Sequence, residues 1–161
     1  MTQGCVLFNK LKQLIFGAPP LEKHHEYFGR ILFMGSDLPA VDDCWENEQE
    51  LNSAREPITV LINAGVEGPS IEQVNFYKEC ISDLDQLFEK CWPIFEPDFE
   101  QWTGKKFNGN WSDYFKLMSI EIPKDGNLNN NWSVGYYVDA ANHYFTAQFE
   151  NGLPKYNEID G

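Results

Sequence analysis

The sequence predicts an α+β fold: a mostly antiparallel, meandering sheet with one long, Pro-kinked helix packed on one face and a short N-terminal helix. Three observations carry this expectation. Between Pro69 and Trp102, apolar residues fall at Val74, Tyr77, Ile81, Leu84, Phe88, Cys91, Phe95, Phe99 and Trp102, and steps of three and four place them on one helical stripe. Before and after this stretch, apolar runs bounded by Gly, Pro and Asn read as strands. Asn151-Gly152 then marks a two-residue hairpin turn, because both residues tolerate positive φ.

Size and composition set the bounds. A chain of 161 residues can bury a core without metals or disulfides. Its 42% apolar and 15% aromatic content is too rich for a disordered chain. No apolar run approaches the roughly 18 residues of a membrane span. We divide the chain into an N-terminal amphipathic segment and linker, residues 1–20, and a single α+β domain, residues 21–161. Lys10 and Lys12 interrupt the early apolar stretch, which therefore lacks the form of a secretory signal. A cytoplasmic location and a short basic helix packed on its own domain are the expectations.

Taken in order, residues 27–35 contain Ile31, Leu32, Phe33 and Met34 in a row, which predicts a strand covered on both faces. A loop with Pro39 follows. Residues 45–51 alternate Trp45, Asn47, Gln49 and Leu51 with Glu46, Glu48 and Glu50, a strand whose carboxylate face must meet water. Residues 58–64 form the next strand, entered from Pro57 and left through Gly65 and Gly68. Ser70 with Gln73 makes a capping box, and Glu72 complements the helix dipole. Pro93 and Pro97 lack the N–H of an unbroken helix, so a helix over 70–92 with a kinked continuation to Trp102 is expected, closed by Thr103 and Gly104. Residues 114–122 form a strand stopped by Pro123, and 124–131 are a turn rich in Asn. Trp132, Val134, Tyr136 and Val138 alternate, as do His143, Phe145, Ala147 and Phe149. Residues 155–159 return as a short edge strand.

Cys5, Cys44, Cys80 and Cys91 include no Cys-x-x-Cys pair, and the histidines show no zinc-finger spacing, so neither a metal nor another cofactor is expected. On one continuous helix Cys80 and Cys91 would stand roughly 16 Å apart, beyond disulfide reach. His24-His25-Glu26 is the cluster closest to an enzymatic signal, but adjacent side chains diverge and chelate poorly. His143 reads as a core or rim histidine. Asp42-Asp43-Cys44 lacks a neighbouring histidine, and its acidic setting opposes thiolate formation. Phosphate-binding, nucleophile-elbow and zincin motifs are absent. Trp92 and Trp102 belong to the helical stripe. Trp111, beside Asn108, Gly109 and Asn110, suits either a partner anchor or a cap on the sheet end.

Charge is more informative. Of the net −13, residues 42–100 hold −12, fifteen acids against Arg55, Lys78 and Lys90. Direct nucleic-acid binding requires the opposite sign. A basic protein partner fits, as does a merely solvated acidic face.

Tyr27-Phe28-Gly29, Trp45, Gly68-Pro69 with Gln73, Asp113-Tyr114-Phe115-Lys116-Leu117 before Ile122-Pro123, and Trp132-x-Val134 occur together with a distinctive ending. That ending is His143-x-Phe145-Thr146-Ala147-x-Phe149-Glu150-x-Gly152-x-Pro154 with Ile159-Asp160-Gly161. Over residues 27–161 the chain resembles a family of small bacterial α+β proteins of unassigned function. More loosely, it is similar in kind to the acidic immunity proteins encoded beside bacterial toxins. The resemblance implies an α+β fold and no specific activity.

The functional expectation is a non-enzymatic, acidic protein-binding domain, in its most concrete form an immunity-type protein that docks a basic toxin. Asp42, Asp43, Glu46, Glu48, Glu50, Asp98, Glu100 and Trp111 are the candidate partner-binding residues. The alternatives are a small hydrolase-like enzyme using His24, His25 or His143, and a structural domain. The residues leave the oligomeric state open.

Overall fold

The computed structural model describes residues 21–34, 43–51 and 56–161. The expected N-terminal helix and linker, and Asp42, lie outside the described residues. Among the described residues, eight strands form one sheet in chain order: β1 (Glu22–His25), β2 (Gly29–Phe33), β3 (Trp45–Gln49), β4 (Ile58–Ile62), β5 (Phe115–Ile122), β6 (Trp132–Val138), β7 (His143–Glu150) and β8 (Leu153–Asp160). All neighbours are antiparallel except β4 and β5. A parallel pair needs a long crossover, and here it carries both helices, α1 (Ile71–Ser82) and α2 (Leu84–Thr103). The expected α+β class and mostly antiparallel sheet are present.

The apolar stripe belongs to two helices rather than one. Asp83, at φ −147° and ψ 80°, leaves helical geometry, and its carboxylate accepts from the Gln86 N–H at 2.9 Å. It thereby caps α2, and this local bond competes with continuing α1. The prolines do not interrupt: Pro93 and Pro97 both lie inside α2 and are exposed. Four residues apart, they share one side, so the carbonyls they leave unpaired face water. The opposite side is held by Cys91, Phe95 and Phe99, all fully buried. Gly104 closes α2 in the left-handed region at φ 65°. At the start of α1 the capping box is present in both directions. Gln73 is also buried and its amide donates to the carbonyls of Asn63 and Pro123, tying α1 to the carboxyl ends of β4 and β5.

The core lies between the helices and one sheet face. Phe88 is its centre, with the rings of Trp111, Phe115 and Tyr136 at 5.1, 4.9 and 5.6 Å. Two further expectations change. Ile31 is buried, but Met34 is 49% exposed and Leu32 only partly covered. Among the described residues no element shields the second face of β2, where coverage on both faces was expected. Trp102 is 46% exposed and meets the His143 ring at a tilt, with centroids 4.2 Å apart, rather than entering the core.

Candidate docking surface

Alternation along the strands assigns the second sheet face. Since Ile58, Val60 and Ile62 point to the core, Thr59 and Leu61 point away, and register carries this across the sheet. One row runs Glu48, Thr59, Ser119, Gly135, Thr146, Glu158 across six strands, a span of about 24 Å at ordinary strand spacing. A second contains Leu32, Glu46, Leu61 and Glu121. A third runs Lys116, Tyr137, Tyr144, Asp160. No described helix or loop covers these rows. The first row therefore has small polar residues at its middle and carboxylates at both ends, while the other two rows add Leu61, Glu121, Tyr137 and Tyr144 beside them.

Two basic groups of this face among the described residues are already engaged. Arg30 pairs with Glu22 at 2.9 Å and Lys116 with Asp139 at 2.9 Å. Glu121 accepts from the Asn63 amide and the Ser133 hydroxyl, both at 2.8 Å. Burial, then the carboxylates of Glu121, Glu46 and Asp43, push the Cys44 thiol above its ordinary value. Glu121 of β5 thus acts together with the sequence neighbours Asp43 and Glu46 on one half-buried sulfur. Asp43 and Glu121 also line a polar cleft of about 590 Å³ with Asn63, Lys124 and Asn129, at the carboxyl ends of the parallel pair.

The expected partner residues do not form one surface. Glu46 and Glu48 lie on the open face, and Asp43 and Glu50 flank β3, both exposed. Asp98 and Glu100 are on α2, across the sheet from them. Asp98 accepts from the Asn157 amide at 2.9 Å, which fixes α2 to β8. Glu100 supplies the carbonyl that caps the helix end. Trp111 is half-buried, stacks on Phe88 and donates its Nε1–H to Asp85 at 2.6 Å, so its polar and apolar parts are used within the domain. The residues missed from sequence are Glu121, Glu158 and Asp160. The signal was available, since Glu121 lies between Ile120 and Ile122 and the two C-terminal acids flank Ile159.

The histidines have local partners. His25 Nδ1 accepts from the N–H groups of Tyr27 and Phe28 and so shapes the β1–β2 turn. His143 Nδ1 lies 2.7 Å from the Ala141 carbonyl. His24 is exposed opposite Arg30. Among the described residues no group of three or more His, Cys, Asp or Glu is arranged to hold a metal ion. Cys80 and Cys91 stand on separate helices because of the break at Asp83, which removes the axial-distance estimate made for a continuous helix. Both are free thiols, pushed up to about 12 by burial. No described helix is long and apolar enough to cross a membrane. No protein-family model, no curated protein and no solved structure matches the chain.

Proposed function

We propose that this chain is a non-enzymatic protein-binding domain whose open sheet face receives a basic partner, and that an immunity-type role against a basic toxin is its most concrete form. One observation carries the reading: Glu46, Glu48, Glu121, Glu158 and Asp160 share a sheet face that no described helix or loop covers, and on it the described basic groups Arg30 and Lys116 are paired with other acids. Such a face steers a cationic partner and suppresses anionic ones, and its effect is greatest on association rate. Thr59, Ser119 and Thr146 offer hydrogen bonds in the middle of the face, and Leu61, Tyr137 and Tyr144 offer apolar contact beside them, so the carboxylates set the sign of the partner rather than supplying the whole interface.

The test is titration of the full chain with the products of the two genes that flank its own, by calorimetry and stopped flow, at low and high salt. Reversing Glu46→Lys together with Glu48→Lys should slow association about tenfold at low salt, and high salt should narrow the difference. Binding unaffected by both the salt and the reversal would sink the reading. Glu89→Lys with Glu96→Lys, on the exposed side of α2, serves as a control that alters the same net charge on the opposite side.

A further inference from the structure

We infer that β8 is the point of attachment, where a basic partner adds an extended strand as a ninth member of the sheet. The inference rests on the reading above for the partner's charge, and on edge geometry for the mode of binding. β8 ends the strand order, and no described element pairs with its outer side. Among the described residues its backbone there presents a row of N–H and C=O groups with no strand partner, a template for strand addition. Pro154, Lys155 and the register shift between Gln148 and Phe149 guard the first part, as edge strands commonly are. From Tyr156 to Asp160 no such guard remains.

Side chains define what would fit. Tyr156, Glu158 and Asp160 lie on the open face and are exposed. Asn157 and Ile159 turn to the helical side and are half-buried, with Asn157 bonded to Asp98 of α2. A ninth strand would therefore place alternate residues beside two carboxylates and the others beside Ile159 and the flank of α2. The fitting segment alternates Lys or Arg with apolar residues. The opposite edge suits it less well: β1 has 4 residues against 8 in β8, and Lys23, His24 and Arg30 stand there. A second copy of this chain is disfavoured, since each copy carries −13.

The full chain is titrated with an acetylated, amidated heptapeptide of alternating valine and lysine, and hydrogen exchange is followed residue by residue. Expected are at least tenfold slower exchange at those β8 amides between 156 and 160 that do not bond β7, and loss of binding when alternate peptide amides are N-methylated at unchanged charge. Glu158→Lys with Asp160→Lys should weaken binding about tenfold. Equal binding of the N-methylated peptide, or no protection of β8 at millimolar peptide, overturns strand addition. If protection then centres on Glu48 and Thr59, the acidic-face reading survives alone. Protection of β8 that persists at high salt and with a serine-for-lysine peptide supports strand addition while sinking the charge-based reading. Concentration-dependent self-association that protects β8 without peptide would make a second copy the occupant and overturn the proposal.

Discussion

Replacing Asp83 by alanine separates two architectures that share every buried residue of the stripe. Asp83 accepts the Gln86 N–H at 2.9 Å and begins a helix of 20 residues. Its removal leaves an orphan N–H to water, and losing an N-cap side chain costs about 0.5–2 kcal/mol. The carboxylate also faces the positive end of the α2 dipole, which adds about 0.3–1 kcal/mol at low salt. These contributions overlap, so the expected loss is about 1–2 kcal/mol, a sizeable part of a total of about 5–15 kcal/mol. In urea denaturation the midpoint should fall with the m-value unchanged. Asp83→Asn keeps the acceptor and removes the charge, so it should lose only the smaller, salt-sensitive part. The sign of the alanine effect decides the matter. In an uninterrupted helix Asp83 would be an exposed interior residue, and alanine, the better helix former, would stabilise it. A neutral or stabilising Asp83→Ala would therefore refute the break between α1 and α2.

Phe88→Ala should cost about 3–5 kcal/mol by chemical denaturation, since the rings of Trp111, Phe115 and Tyr136 around it belong to different elements and cannot all move inward. Tyr136→Phe should be neutral or stabilising by about 1 kcal/mol, because the Tyr136 hydroxyl is buried without a hydrogen-bond partner; a loss in melting temperature would contradict this. Gly152→Val forces a β-branched residue to φ 74° beside Asn151 at 51°, a penalty of about 1–2 kcal/mol, and should raise amide exchange over residues 144–159 while α2 near Leu84 stays protected. The Cys80 and Cys91 thiols, pushed up to about 12, are protonated in folded and unfolded chains below the ordinary thiol value of about 8.5. Above it the unfolded chain releases protons that the core retains, so stability should fall as pH rises from about 8.5 towards 12. Cys91→Ala should flatten that slope, measured as urea midpoint against pH.

What the sequence determined by itself was local and periodic. The capping box at Ser70, the helix close at Gly104, the Asn151-Gly152 turn and the alternation in β3, β6 and β7 depend on neighbours within a few residues, and all are present. The break at Asp83 was legible too, in Asp83 with Gln86 three residues on, but the stripe running through it masked the second cap. Tertiary structure decided the rest. Pro93 and Pro97 stay inside α2 because the buried side of that helix is held against the sheet, a force that no local rule contains. The parallel register of β4 with β5, and hence the face on which Glu121 meets Glu46, depends on a crossover that brings residue 61 beside residue 121. Sequence proximity grouped Glu46 with Asp98 and Glu100, yet the sheet stands between them. Glu158 and Asp160, far along the chain, share the open face of Glu46 and Glu48 instead. A charge count along the chain cannot find such a surface, because the period of two in a strand sends alternate residues to opposite faces and only strand order says which faces join.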